Sequence, residues 1–194
     1  QDGAILNNSR INTQTQMAGW VDGNPWLARG EAKVILNEVN SSDPSKLNGF
    51  TEIAGKRAEL VIANPAGITC AGCGFINASR TTLTTGEAMM KEGKLTGFNV
   101  KEGILRVDGT GMNTGDSDYT QLISKTAQIN ANIAAKNLDV ITGSNQVSYE
   151  HNPENTKVSN TSGSTTTNSQ TGVALDVSSL GGMYAGKIRL IGTD

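Results

Sequence analysis

Aromatic residues are scarce: two Trp, three Tyr and three Phe make up 4% of the 194 residues. Any core must therefore be filled by small and aliphatic side chains. Hydrophobic residues stand at 36% and charged residues at 18%, both low for a globular enzyme. There is one histidine, His151, set in a polar stretch with no rigid framework around it. A Ser-His or Cys-His nucleophile would have to use it, so we expect no catalytic residue. One His and two Cys supply at most three soft ligands, short of a four-ligand structural zinc site, and we expect no metal and no cofactor. An excess of charge of one sign is also missing. With 16 Lys plus Arg against 18 Asp plus Glu the net charge is −2, which removes the field that draws a chain onto nucleic acid or an anionic membrane. No apolar run approaches the roughly 18 residues of a membrane-spanning helix. Nor does any long stretch show a helical period, which excludes bundles and coiled coils.

What the chain has instead is Gly, Thr and Asn, which fill 63 of the 194 positions. Gly and Asn tolerate positive φ and Asn caps turns, while Thr suits pleated strands. Strand-like runs recur at 31–39, 57–62, 103–107, 126–133, 138–142, 172–177 and 187–191. Alternation is clear in AQINANIAA (127–135), where Ile129, Ala131 and Ile133 share a face, and weaker in GILRVDG (103–109), where Ile104 is the candidate inward residue. Spacing alone fits a sandwich, a barrel or a β-solenoid. Between 95 and 149, LTGFNV, GILRVDGTG, AQINANIAAKNLDVITGSN and QVSY follow one another through short polar connections, which reads as coils of a solenoid. Hairpins would favour Asn-Gly or Asp-Gly turns, and Asn48-Gly49 and Asp108-Gly109 are the few candidates. We take the whole of 1–194 as one all-β domain. From Glu150 to Thr171 the only β-branched aliphatic is Val158, so 150–172 is expected to be a polar excursion or mobile loop within it. Gln1 opens directly on GAIL without a leader profile, and we read the sequence as a fragment or a processed chain.

Three features invite chemistry. Cys70 and Cys73 in ITCAGCGF suit a redox pair, half a zinc site or a local disulfide. A redox pair sits at the start of a helix, whereas GFINASRTTLTT follows here and reads as strand, so the disulfide is favoured. Gly72 and Gly74 give the backbone freedom such a loop needs. Asp108, Asp116 and Asp118 match no calcium-loop pattern and read as turn carboxylates. A polysaccharide lyase on a β-helix would need acids converging on Arg80 or Arg106, and the sequence offers no such set. Lastly, NPWL (24–27) and NPAGI (64–68) form rigid corners: Asn before Pro is held extended with its side chain over the next amides, and Gly67 supplies positive φ.

Together, GNPWLARGEAKVILNEVN (23–40), ELVIANPAGITCAGCGFINASRTTLTTG (59–86) and LDVSSLGGMYAGKIRLIGT (175–193) resemble the N-terminal secretion domain of two-partner secretion exoproteins, the filamentous-haemagglutinin-like family. Within it the resemblance runs first to contact-dependent growth inhibition exoproteins, then to haemolysins and adhesins. The resemblance implies a right-handed parallel β-helix with extra-helical strands or hairpins. It further implies secretion to the cell surface or medium of a Gram-negative bacterium, through periplasm and outer membrane. The partner implied is a cognate Omp85-type β-barrel transporter with periplasmic polypeptide-transport-associated domains, with no nucleic acid and no small-molecule substrate. The family motifs NPNL and NPNGI map onto Asn24, Pro25, Trp26 and Leu27, and onto Asn64, Pro65, Ala66, Gly67 and Ile68, each departing at the third position. Asn24, Pro25, Leu27, Asn64, Pro65, Gly67 and Ile68 are thereby expected to serve transporter recognition or folding. The Cys pair matches a haemolysin and growth-inhibition subgroup and supports a Cys70–Cys73 disulfide. Members begin with a signal peptide and capping strands and run on into adhesin-like repeats, so this is expected to be an N-terminally truncated piece. The alternative function is an adhesin module binding a host or neighbouring cell; exposed aromatics would mark it, and Trp20, Trp26 and Tyr184 are too few and scattered to show a patch, so a receptor would be met through downstream regions.

Overall fold

The computed structural model describes residues 3–27, 30–161, 175–177 and 183–193. Six coils wind in the same direction. The first holds β1 (Ala4–Asn8), a hairpin of β2 (Thr13–Thr15) and β3 (Gly19–Val21), and β4 (Val34–Glu38). The second holds β5 (Ser45–Leu47), β6 (Phe50–Gly55) and β7 (Ala58–Ala63). In the third, β8 (Ile68–Ile76) bends through a corner before β9 (Ala78–Thr84). After a hairpin, β10 (Glu87–Lys91) and β11 (Lys94–Val100), the fourth coil is β12 (Ile104–Thr114) and β13 (Tyr119–Ser124). The fifth is β14 (Thr126–Ile129), β15 (Ile133–Ala135) and β16 (Asn137–Thr142). A second excursion, β17 (Asn145–Ser148), a 3-10 turn at Pro153–Asn155 and β18 (Val158–Asn160), leads to β19 (Leu175–Val177), β20 (Met183–Tyr184) and β21 (Lys187–Gly192) of the sixth.

All pairing between coils is parallel. One face reads β4-β7-β9-β13-β16-β21; a second sheet, folded at a corner into two faces, carries β5-β8-β12-β14-β19 and β1-β6-β8-β12-β15-β20. The architecture is thus the right-handed parallel β-helix with extra-helical strands. Along each coil one side chain in two points inward, and Leu60, Ile62, Ile68, Phe75, Leu83, Leu105, Val107, Leu122, Ile129, Ile133, Leu138 and Val140 stack into one buried column. Ile129, Ala131 and Ile133 face in as their alternation requires. In the neighbouring strand the inward pair is Leu105 and Val107 rather than Ile104, which stays half-buried.

The solenoid reading of 95–149 needs a correction. LTGFNV and QVSY do not lie in coils: β11 pairs antiparallel with β10 and β17, and β17 pairs antiparallel with β18. This four-stranded sheet lies flat on the outside of the β7-β9-β13-β16 face, where Phe98, Val100, Val147 and half-buried Val158 meet Val61, Ile123 and Ile141 in a second core. Both sides of that face are therefore buried, which is why β13 carries no exposed residue along its length. The hairpin at β10–β11 turns on Glu92 and Gly93, both at positive φ, as a two-residue hairpin turn requires. Asn48-Gly49 and Asp108-Gly109 instead stand at the corner that folds the second sheet, between β5 and β6 and opposite Gly72 of β8.

The outer side of the doubly buried face also carries charge. Glu59, Arg80, Gln121, Asp139 and Arg189, one from each of five successive coils, form a ladder beneath the second excursion. Arg80 bonds Glu59 (3.4 Å), the Gln121 side-chain oxygen and the Glu150 carbonyl, with its guanidinium 4.0 Å from the centre of the Tyr149 ring. Fully buried Asp139 accepts from Tyr119 (2.8 Å), Gln121 (3.0 Å) and Arg189 through two bonds (3.1 and 2.8 Å). Arg189 donates further to the Pro153 carbonyl at 3.2 Å, and Gln121 to Thr156 at 2.9 Å. Residues 150–156 of the polar excursion are held on this ladder and 157–161 by antiparallel pairing with 144–148, partners that segment cannot supply itself; its remainder to 172 lies outside the described residues.

Burial, and then the bond to Asp139, push the Tyr119 hydroxyl up to about 12, and burial raises Tyr149 as well. A tyrosine whose folded pKa exceeds its unfolded value near 10 stabilises the fold fully below that value. Stability should accordingly be level up to about pH 10 and fall as pH rises toward 12. Denaturant titrations of a Tyr184→Phe variant followed by phenolate absorbance check this; phenolate appearing near pH 10 in the folded variant contradicts it.

Candidate recognition and folding motifs

NPAGI is built into the helix. Asn64 is fully buried at the corner after β7. Its Nδ2 donates to the Asp43 carbonyl (3.0 Å) and Ser45 Oγ (2.9 Å) at the start of its own coil, and its Oδ1 accepts from Ala66 N–H (3.0 Å). Its backbone N–H reaches the Thr84 carbonyl of the next coil (2.9 Å), and Gly67 N–H closes the turn on the Asn64 carbonyl (3.0 Å). Pro65 holds the corner half-exposed, Gly67 sits at φ +126 with Ile104 O close behind it, and Ile68 delivers the chain into the core. Asn64 thus closes its own coil through its side chain and joins that coil to the third through its backbone N–H.

NPWL has the same local geometry in a different setting. Asn24 Oδ1 accepts from Trp26 N–H (3.0 Å), and the Asn24 carbonyl from Leu27 N–H (3.3 Å). Asn24 also donates through its backbone to the Ser9 carbonyl (2.7 Å) and through Nδ2 to Asn7 O (3.2 Å), closing the base of the β2–β3 excursion. Pro25 is exposed, Leu27 half-buried, and Trp26 is 90% exposed. Among the described residues none bonded to Asn24 is bonded to Asn64, so the structure does not bring the two motifs into one site. It does explain their third positions. Trp26 and Ala66 each contribute a backbone N–H to the preceding Asn, a role that any residue but Pro fills.

A third corner of this kind lies outside the two motifs. Asn152 Oδ1 accepts from Glu154 N–H (3.1 Å) ahead of Pro153, and this turn presents the carbonyl that Arg189 reads. Its Asn-Pro dipeptide was the available signal, hidden in a polar stretch. The ladder residues were missed too; a charge inside a strand-like run, as in Leu138-Asp139-Val140, was their signature.

Cys70 and Cys73 are disulfide-bonded within β8, both buried, with Gly72 between them at φ +75. Closing so short a loop contributes about 2 kcal/mol by chain entropy. Cys70→Ala/Cys73→Ala should therefore remain folded and lose about that much, measured by urea unfolding. The remaining candidates are dispersed. Asp116 accepts from Asn77 N–H (2.6 Å) and pairs with Arg57, Asp108 accepts from Asn130 (2.7 Å), and Asp118 lies 3.8 Å from Lys136. His151 is exposed, and Arg106 stands exposed on another face from buried Arg80.

The family model for the TPS secretion domain matches residues 1–194. The chain belongs to that family. Toxin CdiA of Yersinia pestis is 56% identical over 192 residues, covering 99% of this chain and 6% of the relative. The tRNA nuclease CdiA-2 of Burkholderia pseudomallei is 46% identical over 194 residues, with the same coverage on both sides. The crystal structure of the filamentous hemagglutinin secretion domain superposes with a TM-score of 0.85 at 28% identity, over 98% of this chain and 64% of that one. The TPS domain thus spans a small fraction of the CdiA relatives it matches. It is a secretion-targeting module, and the nuclease activities in the relatives' names belong to those much longer proteins.

Proposed function

We propose that this TPS domain directs a large exoprotein to a cognate outer-membrane β-barrel transporter of the Omp85 type, through that transporter's periplasmic polypeptide-transport-associated domains, and then nucleates the exoprotein's β-helix outside the cell. The observation that carries the reading is the contrast between the two motifs: the Asn64 side chain is spent on closing its own coil, while Pro25 and Trp26 face solvent. The chain meets the transporter extended, where backbone pairing gives affinity and side-chain pockets give selectivity. Once outside, each coil templates the next, and folding opposes return. NPAGI serves that folding step as a clamp; NPWL, whose Pro25 and Trp26 the folded core does not use, serves recognition. The domain itself performs no catalysis, and its parent reaches the surface or medium of a Gram-negative cell.

The motifs separate in one experiment. Trp26→Ala should leave the unfolding midpoint unchanged and reduce export through the transporter. Asn64→Ala should block export while the purified protein keeps its β signal at lowered stability. Normal export of both variants sinks the assignment.

A further inference from the structure

In the sequence Trp20, Trp26 and Tyr184 are too scattered to mark a binding face; the side chain of Tyr184 lies outside the described residues, and the structure singles out Phe50 instead. Phe50 is 40% exposed and points outward from β6. Its ring lies against Gly74 of the next coil, so close that a Cβ there would overlap three ring carbons. Beyond Gly74 the same outward row continues through Asn113 and Ala134, each paired to the last. Small residues after a large ring leave a trough along the helix axis.

Two clefts meet at the ring. One, about 870 Å³, lies between the β2–β3 hairpin turn and the corner loops; the other, about 320 Å³, continues along the corner past Gly72 and Gly111. Phe50, Gly72 and Asn113 line both. The groove thereby crosses the second to fifth coils, about 14 Å at the spacing of paired strands. Its polar lining is made of amides and a hydroxyl: Gln16, Asn48, Asn113, Asn132 and Thr110. Asn48, Asn113, Asn132 and Thr110 are all exposed. Among the described residues no Lys or Arg lines either cleft, and the single carboxylate, Asp116, is already held by Arg57 and Asn77.

That chemistry selects a ligand class. Amides both donate and accept, matching hydroxyls that do the same. A half-exposed ring offers an apolar face to a ligand that is amphipathic in slices. The missing cations argue against phosphate, sulfate or nucleic acid, and the scattered apolar area against a lipid chain. We propose that the Phe50–Asn132 groove is a binding site for a neutral oligosaccharide, held with one sugar face on Phe50 and its hydroxyls on the asparagine amides. This site is independent of export, and the failure of either leaves the other standing.

Chitotriose, cellotriose, maltotriose and an anionic heparin tetrasaccharide are titrated at millimolar concentration into the isotope-labelled 194-residue chain, followed by amide NMR shifts. A neutral trisaccharide is expected to shift the amides of Asn48, Phe50, Asn113 and Asn132. Phe50→Ala should weaken this binding about tenfold or more. Asn48→Ala, an exposed side chain outside the core, should weaken it while leaving the spectrum folded, and Trp26→Ala should leave it unchanged. No response to any neutral sugar, shifts outside the groove, a response to the heparin fragment alone, or undiminished binding by both groove variants overturns the proposal.

Discussion

Arg189→Leu is expected to lower the unfolding free energy by about 3 kcal/mol, toward the lower end for breaking a buried ion pair because the Arg189 side chain is 31% exposed. The loss comes from what remains. Asp139 is fully buried, and without Arg189 its charge keeps only the Tyr119 and Gln121 hydrogen bonds. The bond to Asp139 in turn raises the Arg189 pKa, so the cation persists across any working pH. Adding Asp139→Asn to the Arg189→Leu variant should recover part of the loss, since an amide keeps hydrogen-bonding capacity without an unpaired charge. Urea unfolding of the single and double variants decides it; full stability in Arg189→Leu would mean that water replaces the guanidinium and that the ladder does not bind the sixth coil to the fifth.

Asn64→Ala should cost about 3 kcal/mol, against about 1 kcal/mol for Asn24→Ala. Both substitutions delete an Asn that caps the next turn. Only at Asn64 are three partners, Asp43 O, Ser45 Oγ and Ala66 N–H, left without a side chain that is itself fully buried. Asn24 is half-exposed, and solvent takes up its share. Equal losses at the two positions would show that the corners act through Pro rigidity rather than through the buried amide.

How much of this could be seen in the chain depended on where each signal was stored. Ile129, Ala131 and Ile133 announce an inward face because alternation is local. The Asn-Pro corners and the Cys pair are likewise contained within four or five residues. The antiparallel sheet on the outside of the helix was not legible: LTGFNV and QVSY alternate like any strand, and parallel and antiparallel partners leave the same pattern in one strand. Its hairpin turn uses Glu92-Gly93, whose Glu takes positive φ without the usual Asn or Asp. Thr81, Thr82 and Thr84 are buried yet look like the residues of a solvated edge. The charge ladder joins Glu59 to Arg189 through five coils, and only the register of those coils puts Glu59 beside Arg80 and Gln121 beside Asp139 and Arg189, with Arg80, opposite Tyr119, reaching Gln121 diagonally.

If this domain is an export address read by one transporter, its secretion must depend on that transporter. The most direct test is secretion of the domain, joined to a signal sequence, from cells with and without the candidate Omp85-type transporter. Folded domain is expected in the medium only when the transporter is present. Release without the transporter, or retention in both strains, would contradict the export role.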